Sequence, residues 1–146
     1  MDPNTLAVAV AKIMQKEDSC ALALGIEVLE VRPGFARLCM RIREDMVNGH
    51  KIAQGGMIFT LSDTAFAFAC SSHNKRAVAA ACSIEFLRAT QLGELLTATA
   101  TEQNMSGRHG IYDVRVTNQD GDLVALFRGK STQIRGHFVD EACAAT

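Results

Sequence analysis

The residues from Met57 to Cys70 carry a single formal charge, Asp63, in a run otherwise rich in Ala and Phe. An ionised carboxylate in apolar surroundings costs several kcal/mol unless it is paired or hydrogen-bonded. At helical spacing its neighbours are Phe59, Thr60, Phe66 and Ala67, none of which can neutralise it. Two readings follow. Asp63 either shares a narrow polar stripe with Thr60 and Thr64 or meets a distant Arg, or it is held unpaired as a nucleophile or general base.

Gly55-Gly56 lies just before that run. Glycine at a helix entry admits a ligand close to the backbone, where first-turn N–H groups have no intrahelical partner. With the helix dipole they form a cradle for an oxyanion; the plainer alternative is a flexible helix start. Gly56 and Asp63 are two turns apart, roughly 10 Å at 1.5 Å per residue. One carbonyl cannot meet both from a single chain, so a shared site requires two subunits. Asn48-Gly49, upstream, is either a turn or an amide that orients water or substrate.

Other chemistries lack their residues. No G-x-S-x-G elbow is present. His50, His73, His109 and His137 have no metal-ligand spacing with one another or with the cysteines, and no glycine-rich phosphate loop occurs, so no metal or cofactor is expected. Five scattered cysteines, Cys20, Cys39, Cys70, Cys82 and Cys143, with no C-x-x-C pair, read as free thiols in a reducing compartment.

The elements that must hold these groups follow from periodicity. Asn4 to Asp18 has an N-cap residue and Leu6, Val10, Ile13 and Met14 at helical spacing, which predicts a short amphipathic helix. Ile26 to Val31 and Phe35 to Arg43 flank Arg32-Pro33-Gly34 as a hairpin. Glu44 to Gln54 is a polar loop, and Met57 to Cys70, apolar on nearly every face, is a core helix. Ala77 to Phe86, Leu95 to Met105, Gly110 to Asn118 and Leu123 to Ile134 read as four strands of an antiparallel meander, with a frayed tail after Gly136. No internal repeat occurs. The expected fold is α+β: one domain over residues 1–146, an antiparallel sheet wrapped around a central helix, with a short helix in front.

Composition agrees with that class. The 146 residues are 48% hydrophobic and 21% charged, with a net charge of −1, as in an ordinary globular domain. No basic stripe with interleaved aromatics favours nucleic acid. No apolar run is long enough for a bilayer, and the N-terminal segment lacks the charge and cleavage pattern of a signal peptide. The expected location is the cytoplasm.

The run from Asn48 through Gln54-Gly55-Gly56, followed by Leu61-Ser62-Asp63-Thr64-Ala65, resembles the loop-and-helix signature of hotdog-fold acyl-CoA thioesterases. More narrowly, the chain is similar to the thioesterases of bacterial phenylacetate degradation. The resemblance there includes Asp63-Thr64-Ala65-Phe66-Ala67, Ile84-Glu85-Phe86-Leu87-Arg88 and Val124-Ala125-Leu126-Phe127-Arg128-Gly129-Lys130-Ser131, and it runs from about Cys20 to Gly136.

What the resemblance implies is a homo-oligomer, a dimer or a dimer of dimers, with active sites at the dimer interface. Asp63 would be nucleophile or general base, Gly56 N–H the oxyanion donor, and Asn48 the group that positions substrate or water. Many relatives carry His before the glycine pair. Gln54 stands there in this chain and cannot titrate, so proton transfer falls to Asp63 with Thr64 as neighbour. Arg88 and the turn Gly107-Arg108-His109 would meet the phosphates of CoA, or are simply solvated charges.

The implied substrates are phenylacetyl-CoA and its ring-hydroxylated derivatives, with a medium-chain or other aromatic acyl-CoA as runner-up. Two other functions stay open on the same fold. Dehydration of 3-hydroxyacyl thioesters resembles an arrangement with a catalytic His, where this chain has Gln54. A non-catalytic acyl-CoA-binding module would not need Asp63.

Overall fold

The computed structural model describes residues 1–140. Helix α1 spans Pro3–Glu17 and α2 Ser19–Ala23. Strands β1 (Glu27–Arg32) and β2 (Phe35–Arg41) follow, then a single 3-10 turn at Glu44–Met46. The long helix α3 is Gly55–Ser71, and β3 (Ala77–Phe86), β4 (Leu95–Ser106), β5 (His109–Thr117) and β6 (Leu123–Gln133) complete the chain. No helix among the described residues is long and apolar enough to cross a membrane.

The N-terminal segment divides where the sequence predicts one helix. Asp2 caps α1 through a bond from Thr5 N–H, and Pro3 suits the first turn because it has no N–H to lose. Asp18, expected as the last residue of that helix, caps a new one instead: its carboxylate accepts the Ala21 N–H at 3.0 Å.

The six strands form one antiparallel sheet in the order β1-β2-β4-β5-β6-β3. The expected four-strand meander is therefore corrected at one member. β4, β5 and β6 are consecutive neighbours, whereas β3 pairs with β6 at the sheet edge, Phe86 opposite Ala125. Residues 87–94 carry the chain back across the end of the sheet. Crossing three interstrand spacings takes about 14 Å, well within the reach of eight residues. The crossing is tied down as it goes: Leu87 N–H donates to the Val124 carbonyl, Ala53 N–H to the Thr90 carbonyl, and Ile52 and Gln91 form a bridge.

The concave face of the sheet wraps α3. Leu61, Ala65, Phe66, Phe68 and Ala69 of the helix are buried against Leu38, Met40, Ala98, Tyr112, Val114 and Phe127 of the strands. Phe66 stacks edge-on to Tyr112, with ring centroids 5.6 Å apart. Close approach here depends on Gly129, where a Cβ would fall 2.8 Å from the Phe66 ring.

β2 is buried along nearly its whole length, as a strand next to the covered centre should be, whereas β3 is exposed along most of its own. Val78, Phe86 and Leu87 each leave about half their surface in solvent on that edge.

The frayed tail expected after Gly136 is corrected over residues 137–139. Asn74 holds this segment: its side chain donates to the Val139 carbonyl and accepts from the Phe138 and Val139 N–H groups. The rest of the expected fray, together with Cys143, lies outside the described residues.

Candidate active site

Helix α3 starts without a side-chain cap. Gln54 occupies the N-cap position in extended backbone, and its side chain makes no capping bond. Its own N–H donates to the Met46 carbonyl, and the Met57 N–H returns to the Gln54 carbonyl. The N–H of Gly56 is thereby left without an intrahelical partner. Gly56 is exposed, with nothing within 4 Å of where a Cβ would stand, so a ligand can reach its backbone. Gly55 is the opposite case. A Cβ there would meet the Phe86 ring at 3.0 Å, so the first glycine serves packing and the second leaves an opening.

The loop before the helix is braced by Asn48. Its side-chain oxygen accepts the His50 N–H at 2.9 Å, while its backbone exchanges bonds with Ile52 and Lys51. The turn reading of Asn48-Gly49 is therefore correct, and it leaves the amide NH₂ without a hydrogen bond among the described residues. Asn48, Gly55 and Arg88 line one cavity of about 410 Å³ with Ile58, Phe86 and Thr90. Three of the residues singled out in the sequence, or their immediate neighbours, thus meet around the helix start.

Asp63 stands two turns along, half-buried, with no hydrogen bond or ion pair among the described residues. Burial holds its carboxyl above the ordinary carboxylate range, and the charge of Asp18 pushes in the same direction. Its charge also reaches β3, where it adds to the effect of burial in raising the Cys82 thiol. With Gly56 and Thr60 it forms a partly open stripe along a helix that is otherwise mostly buried. The polar-stripe reading is right about Thr60 as a neighbour, yet Thr60 gives Asp63 no bond: its hydroxyl donates back to the Gly56 carbonyl at 2.8 Å.

Thr64 is turned away from this stripe. It is 8% exposed, and its hydroxyl donates to the Thr60 carbonyl at 2.7 Å, so its proton is committed inside the helix.

The residues expected to bind CoA separate in one chain. Arg88 follows the end of β3 and makes a loose pair with Asp122 at 3.5 Å. Gly107-Arg108-His109 is the β4–β5 turn, at the end of the sheet where His109 faces Thr132 and β3 begins. The two sets lie at opposite ends of β3, roughly 30 Å apart at 3.3 Å per residue.

Two members of the site carried no signal in the sequence. Thr90 lies in a stretch with no motif, and Asp18 is 45 positions before the carboxylate it influences. Phe86 was visible only as part of a longer matching segment. Among the described residues, no three His, Cys, Asp or Glu side chains gather as metal ligands.

Residues 50–125 match the model of the Thioesterase superfamily. The acyl-coenzyme A thioesterase PaaI of Escherichia coli is 46% identical over 132 residues, covering 90% of this chain and 94% of that protein. The structure of the E. coli PaaI protein from the phenylacetic acid degradation operon superposes with a TM-score of 0.92 at 44% identity, over 93% of this chain and 99% of that one. A mutant of the phenylacetic acid degradation protein PaaI from Thermus thermophilus gives 0.77 at 37% identity, over 80% and 100%.

Proposed function

The chain belongs to the thioesterase superfamily, and from that premise we propose that it hydrolyses aromatic acyl-CoA thioesters, phenylacetyl-CoA and its ring-hydroxylated derivatives foremost. The observation that carries the chemistry is the half-buried carboxylate of Asp63, which no group among the described residues pairs or hydrogen-bonds. The names of the PaaI relatives support the choice of acyl group. Free thiols at Cys20, Cys39, Cys70 and Cys82 suit action in a reducing cytoplasm.

In this reading the thioester carbonyl rests on the Gly56 N–H at the positive end of α3, which polarises it and stabilises the oxyanion. Asn48 NH₂ steadies the water or the thioester from the loop. Asp63 removes a proton from the attacking water, or attacks the carbonyl carbon itself and is released by water afterwards. In both cases the C–S bond breaks, CoA leaves as the thiolate, and the acid is freed. A carboxyl held above its ordinary range is the stronger base for this purpose.

The reacting Asp63 comes from the partner subunit. Gly56 and Asp63 of one helix are about 10 Å apart, and the exposed β3 edge offers unpaired backbone and apolar side chains to a second copy. Antiparallel β3–β3 pairing about a two-fold axis also reverses the partner's sheet. That brings its Gly107-Arg108-His109 turn toward this chain's Arg88 end, where both can meet CoA phosphates. A dimer of dimers completes the assembly.

The test is thiol release across a panel of acyl-CoA substrates, with sedimentation of the active species. Aromatic substrates should give the highest kcat/KM. A preference for medium chains would replace the acyl assignment, and absence of hydrolysis with retained binding would make the protein a binding module. A fully active monomer would refute the shared site.

A further inference from the structure

Thr90 is 1% exposed, and its hydroxyl is the one buried side-chain polar atom that lacks a hydrogen-bond partner among the described residues. Interiors seldom leave such a group unpaired, and where they do, water, an ion or a ligand is the usual explanation. Its place is well fixed. The Thr90 carbonyl accepts the Ala53 N–H at 2.8 Å, and the Ile52–Gln91 bridge holds the next residue. Thr90 therefore sits beneath the loop that enters α3, in the wall of the cavity shared by Asn48, Gly55 and Arg88. Thr90 belongs to the lining of that cavity, and no hydrogen bond among the described residues holds its hydroxyl in its present rotamer.

The chemistry along the cavity has an order. Arg88 is exposed and held only loosely by Asp122. Phe86, Leu87 and Ala89 give apolar wall, Thr90 adds one hydrogen-bonding group, and the start of α3 lies at the other side. A ligand matching that order has an anionic group, then an apolar segment, then an amide, then an electrophilic carbonyl. The phosphate-to-thioester arm of CoA has this composition. With the thioester on Gly56 N–H, whatever runs from there toward Arg88 is the CoA side of the substrate and not the acyl side.

We propose that Thr90 is a substrate-positioning residue whose hydroxyl hydrogen-bonds an amide of the pantetheine arm of CoA. The inference rests on the acyl-CoA thioesterase reading and extends it to one side chain. A hydroxyl can both donate to and accept from an amide, so Thr suits either face of it.

The experiment compares the intact oligomer with Thr90→Val, which keeps shape and removes the hydroxyl, and with Thr90→Ser, which keeps the hydroxyl. Steady-state kinetics are measured on phenylacetyl-CoA and hexanoyl-CoA, and CoA binding by calorimetry and by thermal shift. Loss of one hydrogen bond made only to bound substrate predicts that Thr90→Val raises KM for both substrates by about tenfold, with kcat within about twofold. CoA binding should weaken by the same factor, ligand-free melting should not fall, and Thr90→Ser should stay near wild type. An effect on one acyl group alone would overturn the proposal and assign the hydroxyl to the acyl portion. A fall in kcat at constant KM would assign it to the hydrolytic water. Unchanged kinetics and CoA binding would leave it no role in the site. If the wild type hydrolyses neither thioester, the enzyme reading fails, while the calorimetric comparison still decides whether Thr90 touches CoA.

Discussion

The two ends of helix α3 treat their polar groups in opposite ways. At the C-terminal end the chain satisfies nearly everything itself. Ser72 accepts the Gly34 N–H at 2.8 Å and donates to the Ala69 carbonyl, and Glu102 takes both His73 Nε2 and the Tyr112 hydroxyl within 2.8 Å. Tyr112 is wholly buried, and burial followed by that bond to Glu102 keeps its hydroxyl protonated far beyond the usual range. Asn74, in left-handed backbone at φ +66°, ties down residues 137–139. At the N-terminal end the cap makes no side-chain bond and Gly56 stands open; Thr90 beside it and Asp63 at mid-helix have no partner among the described residues. Buried polar groups that the fold satisfies contribute to stability, and those it leaves open are free to act on a ligand. The contrast favours a candidate site along the stretch of α3 from its cap to Asp63.

If the contrast is right, substitutions in the open stretch from the cap to Asp63 should alter turnover and those at the closed end should alter folding. The largest effect is expected for Asp63→Asn, which keeps shape and removes charge and basicity: kcat should fall on the order of a thousandfold with the fold intact. Steady-state kinetics of the folded variant check this, and near-wild-type kcat would remove Asp63 from the chemistry. The same variant carries a pH signature. Because the native carboxyl is raised above 3.8, the native state retains its proton to higher pH than the unfolded chain. The penalty for ionising it is absent below that value, sets in as pH rises through the raised one, and persists above. Asp63→Asn should therefore match wild-type stability in acid and exceed it at neutral pH in denaturant titrations.

At the closed end, Asn74→Ala removes the three side-chain bonds to the 138–139 segment and a residue type that tolerates positive φ. A loss of about 2–3 kcal/mol is expected, with kcat of the folded fraction unchanged. A variant that melts normally but turns over slowly would collapse the distinction between the two ends.

Gln54→Ala sharpens the assignment within the open end and should have the smallest effect, roughly ten- to a hundredfold in kcat/KM through lost positioning. The shape of the pH–rate profile should persist, since the ionising group is elsewhere. Loss of a limb would couple Gln54 to the titrating carboxyl. A defect as large as that of Asp63→Asn would move the chemistry to the loop amide.

Much of this molecule was legible in its residue order. The long apolar run with one charge announced α3 and singled out Asp63 as a candidate, because burial of a lone carboxylate is costly wherever the helix lies. Alternation and turn residues located all six strands, and Gly55-Gly56 marked the helix start. Local pattern is enough for such features, since propensity and period act over a few residues. Pairing order is not local. That β3 joins β6 and not β4 depends on how residues 87–94 cross the sheet, and the choice between neighbours is made by burial across the whole layer. The split at Asp18, the anchoring of 137–139 by Asn74 and the inward turn of Thr64 were likewise decided by contacts that residue order does not display. So was the position of Thr90, which sequence alone presents as one more residue in a linker. Only the tertiary structure buries its hydroxyl unpartnered in a cavity wall beside the helix start, because hydrogen-bond satisfaction is a property of what surrounds a group and not of the residue type that carries it.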